Sequence, residues 1–238
     1  MGEIYLREHP FKLDARLNTA ALMVRKGCII ADIGTDHGYL PVWLTRKGIC
    51  PKAIAADINE MPLNKAKQTV IKYNAQDMVS LRLSDGLDKI NSDEVDDIII
   101  AGMGSDVIAG IIDRCNWLKD SQKHLILQPM TCAERLRKYL YENGYSICQE
   151  EIVVEHRKMY TIMLCIYSGE IVLPDIKMMY IGKSHNSNEY ALEYLEKPYN
   201  RLISISEGLK KSAKHKNEHI KYYNAAKEIM KIIVSMQA

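Results

Sequence analysis

The amino-acid sequence predicts an α/β fold: a doubly wound, mainly parallel sheet ending in an antiparallel edge hairpin, with a helical coiled-coil hairpin appended at the C-terminal end. Three observations carry this prediction. Short apolar runs of strand length alternate with helical patterns from Cys28 to Glu142, as repeated strand–helix–strand units require. Two longer strand-like runs, Tyr145 to Val154 and Met159 to Tyr167, then follow one another with only Glu155-His156-Arg157-Lys158 between them. Beyond Pro174 the composition turns polar and helical, with Leu195, Leu202 and Leu209, then Ile220, Tyr223, Met230 and Ile233, at near-heptad spacing.

Bulk properties narrow the class. The chain has 238 residues, 47% of them hydrophobic, which is enough for one sizeable core plus an appendage. No window approaches the ~18 uncharged apolar residues of a membrane span, and Met1 to Glu8 lacks a signal-peptide pattern, so a cytoplasmic protein is expected. The six cysteines are scattered without a Cys-x-x-Cys pair or a nearby histidine set. They read as reduced core thiols, and no metal site is expected.

Taken in order, Leu13, Leu17, Ala20, Ala21 and Val24 mark the face of a first helix stopped by Gly27. Arg16 on that helix reads more readily as part of a solvated face than as a ligand contact. Cys28 to Asp32 is the first strand, and it runs through Gly34 and Gly38 into a helix beginning near Leu40. Glycine at such a junction permits positive φ and close backbone approach to a bound molecule, and the helix start offers free N–H groups.

The spacing here is Asp32-x-Gly34-x-x-x-Gly38. A dinucleotide fingerprint would carry Gly-x-Gly-x-x-Gly, whose close-set glycines seat a pyrophosphate. What fits instead is a zwitterionic adenosine-bearing ligand without phosphate, S-adenosyl-L-methionine, with Asp32 facing its ammonium group. An ordinary strand-to-helix loop remains the alternative.

Ala53 to Asp57 is the second strand, and Pro62 to Tyr73 the helix after it. Asp57 lies roughly 20 residues past the first loop, where a carboxylate accepts from a ribose diol; it serves equally as a cap for the next helix. Leu81 to Leu83 forms a third strand, followed by Ser84-Asp85-Gly86-Leu87. An acid here can accept from an adenine amino group while Leu87 covers the ring, although on this fragment alone a plain Asp-Gly turn is the stronger reading.

Asp96 to Ala101 is the most strand-like run, as a central strand buried on both faces should be. It empties into Gly102-Met103-Gly104 and a helix from about Asp106 to Trp117. His124 to Pro129 is the fifth strand, with the helix Ala133 to Glu142 behind it. Cys132 superficially resembles a cytosine-methylating nucleophile, but the partner Pro-Cys after the fourth strand is missing, and a core thiol is the preferred reading. The edge hairpin that follows distinguishes a class I methyltransferase sheet from a dehydrogenase sheet.

Between Lys197 and Lys231 there are nine Lys or Arg against three Asp or Glu. Such a run is usually a solvated helix face. Beside a ligand-binding domain, a basic projecting hairpin also suits a polyanion.

Leu13-x-x-Arg16-Leu17, Ala31-Asp32-Ile33-Gly34-Thr35-Asp36-His37-Gly38-Tyr39-Leu40-Pro41, Asp85-Gly86-Leu87, Ala101-Gly102-Met103-Gly104 and Leu127-Gln128-Pro129, joined to a helical tail, closely resemble the bacterial tRNA adenine-N1 methyltransferases that modify adenine 22. The resemblance implies a Rossmann-like class I methyltransferase domain over residues 1–168 and a tRNA-binding helical hairpin over residues 169–238. It also implies the cofactor S-adenosyl-L-methionine and tRNA as partner, in a monomer with at most weak pairing through the hairpin.

By position the resemblance assigns Asp32, Gly34, Thr35, His37 and Gly38 to the cofactor, with Asp57 and Ile58 after the second strand and Asp85, Gly86 and Leu87 after the third. Ala101, Gly102, Met103 and Gly104 complete that set. Gln128 and Pro129 border the target base, joined by Asp36 through charge and Tyr39 through stacking; loop capping and helix packing serve those two equally well. Lys210, Lys211, Lys214 and Lys216 are the basic residues for the tRNA backbone. The chain departs from the family pattern at Met61, Ser105 and Met130, where Gly, Gly and Asn are expected. A methyltransferase for a small molecule or protein, and a noncatalytic module binding cofactor and RNA, are the competing readings.

Overall fold

The structure, a computed structural model, describes residues 11–183, 190–211 and 218–237. A seven-stranded sheet runs through its centre. The strands are β1 (Ile30–Ile33), β2 (Ala53–Asp57), β3 (Val79–Leu83), β4 (Asp97–Met103), β5 (His124–Pro129), β6 (Tyr145–Glu155) and β7 (Lys158–Tyr167), in the spatial order β3-β2-β1-β4-β5-β7-β6. The first five are mutually parallel, whereas β7 pairs antiparallel with both β5 and β6. The edge hairpin turns through His156 and Arg157, both at positive φ (47° and 63°), the backbone that a two-residue hairpin loop demands.

Five helices cover the faces: α1 (Ala15–Leu22), α2 (Tyr39–Arg46), α3 (Glu60–Lys72), α4 (Ser105–Asp113) and α5 (Ala133–Glu142). Alternation along the buried strands assigns side chains to either face. Ile98 and Ile100 join the core packed by α4 and α5, while Ile99 between them joins the core packed by α1, α2 and α3. Both layers are apolar, so β4 reads as an unbroken hydrophobic run.

Two differences from the sequence prediction concern β4 and the helix after it. The strand continues to Met103 through an irregularity between Ala101 and Met103, where Gly102 takes φ +86°. Glycine tolerates that bulge and lets pairing resume at Met103 with Pro129. The following helix ends at Asp113, and a separate 3-10 turn covers Asn116–Leu118.

The tail is a third packing unit built from α6 (Ile176–Ile181), α7 (Ala191–Lys210) and α8 (Glu218–Gln237). The predicted seam is partly out of phase. Leu195, Leu202 and Ile233 are buried as expected, but Ile220 and Tyr223 are exposed, and α8 instead buries Ala225, Ala226 and Ile229. The short helix α6, which the sequence prediction omits, supplies Ile176 and Ile181 to the same cluster, so α8 turns its apolar face toward two neighbours rather than one.

Met178 of α6 packs on the main core, and a buried polar joint fastens the tail beside it. Arg137 of α5 and Glu150 of β6 form a salt bridge at 2.6 Å with side chains only 1% and 0% exposed. Arg137 Nη1 donates to the Met179 carbonyl (2.7 Å) and Nη2 to the Tyr194 hydroxyl (2.6 Å), while Glu150 accepts from the Lys183 N–H (2.6 Å). Gly182 sits directly against this pair at φ +67°, and any side chain there would run into the Glu150 carboxylate and the Arg137 guanidinium.

Candidate active site

The strand order reverses between β1 and β4, so the crossovers leaving these neighbours run in opposite directions. Their C-terminal ends therefore frame a crevice, the position where open α/β sheets bind ligands. The register sets Ile33 beside Ile100, which brings Gly34 and Ala101-Gly102 to one rim. A cavity of about 410 Å³ opens there, between α1, the β1–α2 loop and the end of β4.

The β1–α2 loop is held from below. Gly34 and Thr35 both donate their backbone N–H to the Ala56 carbonyl, at 2.8 and 3.0 Å. Thr35 Oγ1 donates to Asp32 Oδ2 at 2.7 Å, and Asp32 is 6% exposed. Burial raises the Asp32 carboxyl from its ordinary 3.8 to about 6, an effect opposed by the Thr35 hydrogen bond and reinforced by the nearby Asp57 charge. The glycines earn their places through different neighbours: a Cβ on Gly34 would strike the Met103 side chain, and one on Gly38 would meet Ala66 of α3 at 3.0 Å. Gly38 therefore serves helix packing as well as loop conformation.

The mouth carries Asp36, His37 and Tyr39. Asp36 takes φ +47°, an uncommon backbone for a residue other than glycine. His37 Nε2 lies 3.4 Å from Asp36 Oδ2, and the His37 and Tyr39 rings are stacked with centroids 5.4 Å apart. Tyr39 is 42% exposed, leaving ring surface open to a further partner.

Arg16 is the residue that the sequence reading missed. Instead of facing solvent, it lines the cavity, donating from Nη1 to Gln128 Oε1 at 2.7 Å and pairing with Glu155 and Asp14, both at 3.3 Å. Its guanidinium also lies 5.4 Å from the Tyr160 ring centre. The Leu13-x-x-Arg16-Leu17 motif contained the signal, but the partners lie on β5 and the distant hairpin, where no local pattern reveals them. Gln128 is 1% exposed; its Oε1 also accepts from Gly102 N–H at 3.1 Å and its Nε2 donates to the Pro129 carbonyl at 2.8 Å. Gln128 thus fixes the β4 glycine and Arg16 together.

The structure does not gather every expected residue around the cavity. Its lining includes Asp32, Gly34, Thr35, Asp36, His37, Tyr39, Ala101 and Gly102; Gly38, packed against α3, does not line it, and neither do Asp57, Ile58, Asp85, Gly86, Leu87, Met103, Gly104, Gln128 or Pro129. Those lie at the ends of β2 to β5, on the same sheet edge. Asp57 Oδ1 accepts from Asn59 N–H at 2.9 Å, so it braces the entry to α3. Asp85 is paired with Arg114 at 2.9 Å, and the Leu87 side chain is buried in the core, so it is not free to cover a ligand ring.

A model of the methyltransferase domain family matches residues 13–163. The chain belongs to the methyltransferase domain family. Within that family it is 37% identical over 153 residues to the tRNA (adenine(22)-N(1))-methyltransferase of Bacillus subtilis; the match covers 64% of this chain and 64% of that enzyme, just under two thirds of its length. Two solved structures resemble this methyltransferase domain with its tail included. The B. subtilis tRNA methyltransferase TrmK superposes with a TM-score of 0.80 at 29% identity, covering 93% of this chain and 99% of that one. Mycoplasma capricolum TrmK in complex with S-adenosyl-homocysteine gives 0.76 at 27% identity, covering 94% and 98%.

The departures from the family pattern can now be placed on this methyltransferase domain. Met130 lines the cavity, with its sulfur 4.0 Å from Arg16 Nη1 and 3.7 Å from Gln128 Nε2. Met61 is 70% exposed on α3. Ser105 is buried at the start of α4, its hydroxyl within reach of the Thr131 and Cys132 carbonyls. The uniform core-thiol reading needs correction: Cys50, Cys115 and Cys165 are buried, but Cys28 and Cys132 are half-buried and Cys148 is exposed. Cys132 stands at the N-terminal cap of α5 in left-handed backbone (φ 53°) and lines a surface cleft. Lys210 and Lys211 lie exposed at the end of α7, whereas Lys214 and Lys216 fall outside the described residues. Among the described residues no cluster of metal-ligating side chains occurs, and no helix is long and apolar enough to cross a membrane.

Proposed function

We propose that this chain transfers a methyl group from S-adenosyl-L-methionine to N1 of adenine 22 in tRNA. The observation that carries this reading is the cavity at the β1/β4 switch point, with a buried carboxylate and glycine backbone within and an acid and a stacked aromatic pair at its mouth. The kinship with the B. subtilis enzyme and with both TrmK structures supports the substrate.

The residues present suit that cofactor. A 410 Å³ cavity lies within the ~300–1,000 Å³ usual for small-molecule sites. Asp32 offers an anion to an ammonium group, Arg16 a cation near the same rim, and Gly102 open backbone whose Cβ position would meet only Arg16, at 3.8 Å. The ends of β2 and β3, with Asp57 and Asp85, provide the shelf for an adenosine moiety. S-adenosyl-L-methionine supplies an electrophilic methyl group carried on a sulfonium.

Adenine N1 holds its lone pair in the ring plane at neutral pH, so it attacks the methyl carbon without first losing a proton. The carbon–sulfur bond breaks, its electron pair stays on sulfur, and the positive charge passes to the adenine ring. Asp36 and the Tyr39 face lie at the mouth where that charge arises, and both stabilise a cation. Gln128, buried beneath the rim, acts through Arg16 and Gly102, the two lining residues that it holds in place, and Pro129 continues the same strand end.

Residues 1–168 form the catalytic unit in this reading and residues 169–238 a tRNA-binding helical hairpin, acting in the cytoplasm on folded tRNA. Purified protein incubated with cofactor and unmodified tRNA is expected to yield 1-methyladenosine by nucleoside mass spectrometry; no methylated adenosine would overturn the assignment. Charge reversal at Lys210 and Lys211 should weaken tRNA binding and reduce its salt slope by about 2, in line with roughly one phosphate contact per lysine. An unchanged slope would remove these lysines from the interface.

A further inference from the structure

A second cleft, of about 340 Å³, lies beside the cavity, between the β5–α5 connection, the β7 hairpin and helix α7 of the tail. Met130 lines both spaces, so the two adjoin at this side chain. We propose that this cleft holds the phosphate and base of the nucleotide next to the target adenine, with Arg201 as the phosphate contact. The inference rests on the function proposed above and names a part of the substrate that the methylation site itself does not touch.

The chemistry of the lining favours a nucleotide. Tyr160 and Tyr180 present aromatic surface, and Lys197 and Arg201 present cations from α7. Arg137, which also borders the cleft, is already committed to Glu150. Arg201 is different: its ion pair with Glu134 (3.0 Å) leaves its side chain 54% exposed, and its guanidinium lies 5.9 Å from the Tyr180 ring centre. The Glu134 side chain is only 15% exposed, so the pair is anchored at its acid end; the half-exposed guanidinium carries five N–H donors and has more to offer a phosphate than this one carboxylate takes up. Lys197 is equally available, since its nearest acid, Glu193, stands 4.0 Å away and both side chains are more than half exposed.

Position strengthens the case. Residues 129–133 of the β5–α5 connection line this cleft, and Met130 among them also lines the cavity, so a nucleotide in the cleft lies next to a base held in the cavity. Tyr194 of α7, whose hydroxyl accepts from Arg137, ties the opposite wall to α5. The tail therefore contributes a defined subsite immediately beside the reacting base, in addition to any diffuse charge along the hairpin.

The test uses the full chain, steady-state methylation of unmodified tRNA, and a separate titration of S-adenosyl-L-methionine. Arg201→Ala should raise the KM for tRNA by about tenfold and lower the salt slope by about 1, leaving cofactor affinity unchanged. Glu134→Gln is the discriminating variant. If Arg201 serves the nucleotide, removing its carboxylate competitor leaves it free for phosphate and lowers the KM severalfold. If Arg201 merely ties the tail to α5, then Glu134→Gln and Arg201→Ala break the same tie, and both raise the KM and lower the melting temperature alike. That second outcome overturns the proposal, as does a KM unaltered by Arg201→Ala. Lys138→Gln, on the outer side of α5 and paired with Glu142, is the control expected to change nothing. A wild-type protein that methylates no tRNA defeats the proposed function and the cleft with it, whereas active wild type with an indifferent Arg201 variant defeats the cleft alone.

Discussion

Replacing Asp32 by asparagine should weaken binding of S-adenosyl-L-methionine on the order of 100-fold, about 3 kcal/mol for losing a charged acceptor opposite an ammonium group. The same substitution should make the protein more stable. Burial lifts the Asp32 carboxyl from 3.8 to about 6, so between those values the folded chain binds more proton at this site than the unfolded chain does. Its contribution to stability accordingly falls as pH rises through that window and is level above it. A shift of two units corresponds to roughly 3 kcal/mol at neutral pH, as an upper bound.

Asparagine keeps the oxygen that accepts from Thr35 and removes the buried charge. Thermal unfolding of the variant and the wild type should therefore coincide near pH 4, separate as the pH rises to about 6 and stay apart above it, with the variant melting several degrees higher. Calorimetric titration checks the other half: cofactor affinity equal to wild type would remove Asp32 from the site. The same protonation predicts that the wild-type affinity declines as pH drops below about 6.

Arg137→Ala is expected to destabilise the protein by about 3–5 kcal/mol, because Glu150 would remain fully buried without its countercharge. For a chain of this size that lowers the melting temperature by roughly 10 °C. Replacing both members, Arg137→Met with Glu150→Leu, should recover much of the loss, since neither charge then has to be held away from water. Recovery stays incomplete because the Tyr194 hydroxyl, the Met179 carbonyl and the Lys183 N–H lose their partners. A double variant no more stable than Arg137→Ala would refute the charge argument. Since this joint fastens α6 and α7 to the sheet, the single variant should also raise the KM for tRNA more than it alters cofactor affinity.

Much of the sheet was legible because local pattern and tertiary position agree there. The bounds of β2, β5 and α5 coincide with the apolar runs and helical pattern in the sequence, and the two long edge strands were visible as a directly connected pair. Disagreement begins where a residue's role depends on something distant. Arg16 looked solvated because Gln128 and Glu155, its partners, lie 112 and 139 residues away. Arg137 and Glu150 gave no signal because single charged residues read as surface, and only the docked tail explains their burial.

Helix α6 has six residues, too few for a recognisable period, and its omission also put α8 out of phase. Of the candidate site, the β1–α2 loop and Ala101-Gly102 came together around the cavity. Asp85 and Leu87 are held by partners, Arg114 and the core, that the Asp-Gly turn signal does not specify.

The pairing of Arg16 with Glu155 bears on the order in which the protein is made. Helix α1 emerges from the ribosome early, as do β1, its glycine loop and the strand ends that frame the cavity. Glu155 stands at the tip of the edge hairpin, and β7 must insert between β5 and β6 before that tip can reach Arg16. A nascent chain that has not yet produced Tyr167 exposes the unpaired edge of β5 and leaves Arg16 without one of its anchors. The cavity is thus lined entirely by residues up to Met130, while Glu155, which helps to hold Arg16 in that lining, arrives only with the edge hairpin.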